Sequence, residues 1–220
     1  MSRIPFACSF EQLPPSLPLF PLSAATILPG CQLPLNLFEP RYVTMVFDAL
    51  ARERLIGIIL PVVDARGEPH PPLFHTGVAA RIVSFTEAPD NRLLIMLNGM
   101  CRFDIQEERL TSKGYRVARV DWSHYALDYR YMDEIPHDRK RLFGIIREYF
   151  RRKGLDTHWD MLEQMPSVLL VNFLCSQLPF SPAERQSLIE APTPEERLTR
   201  LLGFLEFEMA ASVLSNHRQH

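Results

Sequence analysis

Lysines, histidines, cysteines and glycines are the residues through which this chain would do chemistry, and their spacing excludes most of it. The three lysines, Lys113, Lys140 and Lys153, follow Ser112, Arg139 and Arg152. No Gly-Lys dipeptide exists, so a loop that cradles phosphate and ends in Gly-Lys cannot form. No two of the nine glycines lie two or four positions apart, which removes both the dinucleotide-binding fingerprint and the Gly-x-Ser-x-Gly nucleophile elbow. The histidines are His70, His75, His124, His137, His158, His217 and His220, and no two stand at the i, i+4 spacing that points imidazoles at one metal from a helix. His217 and His220 are close only at a terminus, where a solvated tail is expected. A Ser–Lys dyad needs a lysine of depressed pKa in a dry pocket. Ser112-Lys113 instead falls in a polar turn, and Lys140 and Lys153 fall in a strongly basic helix. Glu107-Glu108 reads as strand-end charge, and Glu195-Glu196 as a helix first turn favoured by the macrodipole. Cys8, Cys31, Cys101 and Cys175 form no Cys-x-x-Cys pair, the pattern of small buried hydrophobes in a reducing compartment. The expectation is a chain with no catalytic residue, no metal and no cofactor, working in the cytosol.

What remains are residues suited to contact. Phe38-Glu39-Pro40-Arg41-Tyr42 is the sharpest local motif. One reading is architectural: Phe38 and Tyr42 anchor a strand-to-helix corner, Arg41 meets carbonyls or a carboxylate, and Glu39 caps the helix. The other puts Phe38, Arg41 and Tyr42 on the rim of a peptide groove. Lys140, Arg147 and Arg151 fall on a narrow arc of a predicted helix, opposite Leu142, Ile146 and Tyr149. They form either a solvated face or a site for an acidic partner or polypeptide tail. Trp122 and Trp159 read as packing residues, or as contact hot spots if exposed.

The elements that must position these residues divide at about residue 130. Prolines 18, 21, 29, 34 and 40 break an apolar stretch into short extended pieces, Leu17–Leu22 and Cys31–Phe38, turned at Pro29-Gly30. Pro40 suits the first turn of a helix carrying Tyr42, Met45, Val46, Ala49 and Leu50. Leu55–Leu60, Gly77–Phe85, Arg92–Leu97, Met100–Ile105 and Tyr115–Trp122 follow as strands. Ala88-Pro89-Asp90-Asn91 joins a hairpin, residues 62–75 form a loop, and Asn98-Gly99 marks a second tight turn. Short strands with turns between them predict a closed or nearly closed barrel. Beyond residue 130 the period becomes helical. One helix opens at Pro136 and runs to about Lys153, with Leu142, Ile145, Ile146, Tyr149 and Phe150 on one arc. Pro166–Gln177 is apolar nearly all round, as a central bundle helix would be. Capping boxes are read at Thr157–Asp160, Ser181–Glu184 and Thr193–Glu196, the last opening a long amphipathic helix through Val213. The expected domains are 1–130, β-rich, and 131–220, a helical bundle.

Of the 220 residues 46% are hydrophobic and 23% charged, the profile of a folded globular chain. No apolar run approaches the roughly 20 residues that span a bilayer, and the N-terminus lacks the pattern of a signal peptide. Net charge is −2, with 13 basic and 13 acidic side chains in residues 1–130 and 11 and 13 in the remainder. That balance offers no broad basic surface for phosphates, so nucleic acid is not the expected partner.

Taken in order, LPLFPL at Leu17–Leu22, Pro29-Gly30, LPLNLFEPRY at Leu33–Tyr42, GVAARIVSF at Gly77–Phe85, RLLIMLNGMCRFDI at Arg92–Ile105 and YRVARV at Tyr115–Val120 resemble the N-terminal substrate-binding domain of the Lon protease family. LPFS at Leu178–Ser181, QSLIE at Gln186–Glu190 and Glu196-Arg197-Leu198 resemble its helical part, so the resemblance covers nearly the whole chain. It implies an α+β fold, a PUA-like β-barrel followed by a C-terminal α-helical bundle. It implies a polypeptide-binding module that recognises unfolded or exposed apolar segments, alone or as an adaptor for a protease or chaperone. It does not imply proteolysis, because the ATPase and Ser–Lys peptidase motifs are missing, and the chain reads as a stand-alone domain. Affinity would come from apolar pockets and from strand addition at an open barrel edge. The alternative is an RNA-binding PUA-like protein, which the charge balance weighs against.

Overall fold

A computed structural model of the chain describes residues 9–62, 68, 70–90, 92–129 and 135–217, with side chains described to residue 211. Cys8, His220, residues 63–67 and 69 of the 62–75 loop, Asn91 and the side chains of Val213 and His217 lie outside the described residues. Two compact units divide the chain, Met1–Tyr131 and Met132–His220.

Strands β1 (Ser16–Pro21), β2 (Gln32–Leu37), β3 (Leu55–Ile59), β4 (Thr76–Ala88), β5 (Arg92–Leu110) and β6 (Arg116–Asp121) build the first unit, with helix α1 (Pro40–Leu50) between β2 and β3. Five of the strands form a ring. β1 runs parallel to β3, β3 pairs antiparallel with β4, β4 with β5, β5 with β6, and β6 with β1 again. A ring has no edges of its own. Its interior is filled rather than hollow. Leu17, Leu19, Leu55, Ile59, Ala79, Cys101, Ala118 and Val120 surround Phe103, all buried. A Cβ at Gly57 or Gly77 would stand 2.8 or 2.6 Å from the Phe103 ring, so one side chain of β5 dictates glycine on β4 beside it and on β3 beyond. Trp122 closes over the ring edge-on, centroids 5.9 Å apart, and its indole N–H donates to the Pro14 carbonyl at 2.9 Å.

β4 and β5 outrun the barrel. Their far ends, with β2 laid along β5 from Gln32↔Asn98 to Leu37↔Leu93, form a three-stranded ladder. The turn expected at Asn98-Gly99 is absent, and β5 passes straight through it. Gly99 lies where β5 crosses the chain before β2: its N–H donates to the Cys31 carbonyl and its carbonyl accepts from Gly30 N–H, both at 2.9 Å. A Cβ there would stand 2.2 Å from the Leu28 carbonyl oxygen. The Asn-Gly pair marks a close backbone approach, and the ladder absorbs it as a bulge between Ala79 and Ala80.

The second unit is helical: α2 (Arg139–Lys153), α3 (Trp159–Gln164), α4 (Ser167–Gln177), α5 (Pro182–Ile189) and α6 (Pro194–His217). α2 starts three residues later than the Pro136 expectation, because Asp138 caps it, its carboxylate accepting from Arg141 N–H at 3.0 Å. Ser181 and Glu184 form the expected reciprocal box on α5. The box expected at Thr157 does not form: α3 opens after His158 with no side-chain cap. Trp159 packs edge-on against Phe150 at 5.3 Å, so tertiary contact supplies what a cap would. α4 is buried on nearly every face. The buried Arg197 of α6 donates to the Leu188 carbonyl at 2.9 Å and to Asn172 Oδ1 at 2.8 Å, tying α6 to α5 and α4.

Candidate functional site

The Phe38–Tyr42 corner turns β2 into α1. Pro40 begins the helix, where its missing N–H costs nothing, and the helix buries Tyr42, Met45, Val46 and Ala49. The Tyr42 ring sits edge-on to Phe20 with centroids 4.5 Å apart, and burial pushes its hydroxyl pKa up. Arg41 lies over that ring at 4.6 Å and pairs with Glu39 at 2.8 Å. Glu39 is the residue before the helix but caps nothing with its side chain. Arg41 and Tyr42 are thus occupied within the corner, whereas the Phe38 side chain points outward, 69% exposed.

Phe38 directly follows the end of β2 and lies at the projecting ladder. Three further large apolar side chains stand exposed there: Val83 at 47%, Phe85 at 49% and Leu94 at 46%. The register separates them by face. Phe85 lies level with Ile95 and Leu35, whereas Leu94 lies level with Thr86 and Asn36 on the other face. Isolated exposed apolar residues need no explanation. Here four stand around one small ladder, with Phe85 and Leu94 on opposite faces, beside a barrel whose own core is closed.

The two ladder edges differ. Among the described residues β2 pairs only with β5, and its outer edge carries Pro34, which has no N–H to offer. β4 pairs with β3 only as far as Arg81, followed by one hydrogen bond from Ile82 N–H to the Arg54 carbonyl at 2.9 Å. Beyond that point, among the described residues, nothing pairs with the outer edge of Val83–Ala88, which holds no proline.

A polar cleft of about 610 Å³ opens elsewhere on this unit, beside the end of α1 and the β5–β6 turn. Its charges are matched. Lys113 Nζ meets both Asp48 oxygens at 2.7 Å, and the Tyr115 hydroxyl donates to the same carboxylate at 2.7 Å. These two donors hold Asp48 below the usual carboxylate range, while burial and the adjacent carboxylate push Tyr115 up to about 12. The Lys113 ammonium is thus engaged in an ion pair with Asp48.

In the helical unit, Arg147 stacks over Trp159 at 4.4 Å and pairs with Glu163. Arg151 pairs with Glu148 at 2.7 Å, and Arg152 joins it, so Glu148 is drawn down to about 2. Of the sequence-derived basic arc, Lys140 alone is exposed without an ion-pair partner among the described residues. The structure does not bring Lys140, Arg147 and Arg151 into one cationic site.

Sequence reasoning placed Phe85 and Leu94 in strands but did not single them out, because no local pattern shows where a strand leaves its barrel. It also missed Arg102. That residue alternates with Phe103 and looks solvent-facing, yet it is 1% exposed. Its guanidinium donates to Asp128 through Nε at 2.8 Å and Nη2 at 2.9 Å and lies 4.6 Å from the Tyr125 ring centroid. Nothing local in the sequence marks Asp128 as its partner. Among the described residues no cluster of His, Cys, Asp and Glu suits a metal ion.

Comparison with known proteins adds the following. A sequence profile of the ATP-dependent protease La (LON) substrate-binding domain matches residues 16–206. A Lon protease of Flavobacterium johnsoniae is 23% identical across 95% of this chain and 26% of its own length. One of Parabacteroides distasonis is 27% identical across 92% and 25%. The chain thus spans about a quarter of the length of these relatives. Among solved structures, a Lon N-terminal domain protein from Xanthomonas campestris superposes with a TM-score of 0.63 at 29% identity, covering 86% of this chain and 97% of that one. The N-terminal domain of a Mycobacterium avium complex Lon protease gives 0.58 at 17% identity over 87% and 98%, a likeness of fold.

Proposed function

The chain belongs to the ATP-dependent protease La (LON) substrate-binding domain family, a non-catalytic module, and from that premise we propose that it binds polypeptide, selecting unfolded chains or exposed apolar segments. The observation that carries this reading is the group of exposed apolar side chains on the ladder, Phe38, Val83, Phe85 and Leu94. Each is large enough to bury on contact, at roughly 25 cal/mol per Å² of apolar surface removed from water. Arg41 and Tyr42 serve by fixing the corner that presents Phe38. Lys140, Arg147 and Arg151 contribute at most long-range attraction, since two of the three are already paired. The described cysteines Cys31, Cys101 and Cys175 are all buried in the core, a use of cysteine as a small hydrophobe that supports work in a reducing compartment such as the cytosol. An adaptor role, handing captured chains to a protease or chaperone, is consistent with binding lacking chemistry.

Fluorescence anisotropy with labelled casein as an unfolded probe and native lysozyme as a folded one tests the reading. Casein binds and lysozyme does not; Phe38→Ser with Leu94→Ser weakens casein binding about tenfold, the size of 1.4 kcal/mol. The Arg147→Glu, Arg151→Glu pair leaves it within about twofold, as expected of partly screened surface charges. Equal binding of both probes, or an RNA oligonucleotide bound in place of casein, overturns it.

A further inference from the structure

We propose that the outer edge of β4 over Val83–Ala88 binds its polypeptide by strand addition, as an extended segment hydrogen-bonded to β4 and packed on Phe85. This rests on the polypeptide-binding reading above and names its site and mode. The barrel offers no edge, because β5–β6 and β6–β1 pairing closes the ring. β2 offers a poor one, because Pro34 removes a donor from its middle. β4 parts from β3 after Arg81 and, among the described residues, keeps only β5 beyond Ile82. In an antiparallel ladder alternate residues turn N–H and C=O to opposite sides. Every second residue of this run therefore presents a donor and an acceptor to solvent at strand spacing. A helix cannot match that row; an extended backbone can.

The side chains define the segment further. Phe85 shares its face with Ile95 and Leu35, so the added strand sets apolar residues there. Ser84 and Thr86 line the opposite face and accept polar ones. Glu87 lies on the Phe85 face toward the hairpin tip and favours a basic residue beside it. The matching segment alternates apolar and polar residues and carries a positive charge near one end. A second copy of this chain fits worse. Antiparallel pairing of two β4 edges about Phe85 sets Glu87 against Val83, and about Thr86 it sets Glu87 against Phe85. Either register buries a carboxylate on the apolar face. The bulge between Ile82 and Ser84 also twists the edge away from flat self-pairing.

The test uses a capped, fluorescein-labelled peptide of alternating valine and threonine with a terminal lysine, about six residues long like a typical strand. Two further versions carry N-methyl groups on one or the other alternate set of amides. Strand addition predicts a split: one methylated version loses binding by about tenfold or more, and the other stays within about twofold of the parent, because only one set of N–H groups faces β4. Phe85→Lys loses parent-peptide binding to a similar degree while Phe85→Leu retains it, with unchanged near-UV circular dichroism showing both variants folded. If the two methylated peptides behave alike, strand addition is wrong, and continued casein binding shows that polypeptide recognition stands without it. If neither casein nor the peptide binds, the underlying reading fails. A concentration-dependent dimer in sedimentation that Phe85→Lys abolishes assigns the edge to a second copy and overturns the proposal.

Discussion

β4 and β5 pass through two environments along one pair of chains. Over Val78–Arg81, β4 has a strand on each side, and β5 delivers Phe103 beside it into a space so full that glycine is required at positions 57 and 77. Past Ile82 the same two strands carry Val83, Phe85 and Leu94 half in water, and β4 has a partner on one side only. The hydrogen-bonded ladder is continuous across both halves, so secondary structure does not distinguish them. Burial does. The barrel half is packed from both sides, and the projecting half leaves the outer edge of β4 and three apolar side chains in water, the feature on which the strand-addition proposal rests.

That contrast breaks or holds on stability measurements. Phe103→Ala empties the centre of the barrel and should cost about 3–5 kcal/mol in urea unfolding, the range for truncating a fully buried aromatic. Phe85→Ala, on the same strand pair, should stay within about 0.5 kcal/mol, as for surface substitutions generally. Comparable losses at the two sites would erase the distinction. Asp128→Ala probes the barrel wall from outside. It leaves the Arg102 guanidinium buried without its bidentate acceptor, a change that costs about 3–5 kcal/mol when one partner of a buried pair is removed. Arg102→Met in the same background should recover much of that loss, since it removes the stranded charge. Gly99→Ala tests the junction between the halves. The added methyl meets the Leu28 carbonyl backbone, so about 1–3 kcal/mol is expected from overpacking.

The residues behind these effects were unequally visible in the sequence. The corner at Pro40, the strands Leu55–Ile59 and Arg116–Asp121, the α5 capping box and the all-round burial of α4 follow from local rules: proline placement, alternation, box spacing, lack of a polar face. Gly99 was misread because Asn-Gly signals a turn locally, whereas its reason here is Leu28, distant in sequence. Arg102 was misread because alternation assigns it outward, and only Asp128, on a later 3-10 segment, makes burial tolerable. Phe85 and Leu94 obey strand alternation in a ladder that leaves its barrel, and no local pattern says where a strand outruns its neighbour. The basic arc of α2 failed as a cationic site for a related reason. The arc is real, but Glu163 comes from another helix, and Glu148, at the i, i+3 and i, i+4 spacing from Arg151 and Arg152, was legible in the sequence and passed over.

The smallest expected effect concerns the link between α1 and the barrel. Lys113 and Tyr115 both donate to Asp48 and hold its pKa below the ordinary value. The folded state therefore binds fewer protons at this carboxylate than the unfolded chain does in mildly acidic solution. Its contribution to stability is complete above the unfolded pKa of about 4 and is lost as pH falls through the lower folded pKa. The pair is partly exposed, with Asp48 at 31% and Lys113 at 51%, so solvent screening limits the gain to about 1 kcal/mol or less. Thermal melts of the wild type and Asp48→Asn should show a small difference at neutral pH that shrinks below about pH 4 as the wild-type carboxylate is protonated. A difference that persists unchanged to pH 2 would mean that the asparagine disturbs packing of α1 rather than charge, and would move Asp48 from the screened surface into the structural half of the comparison.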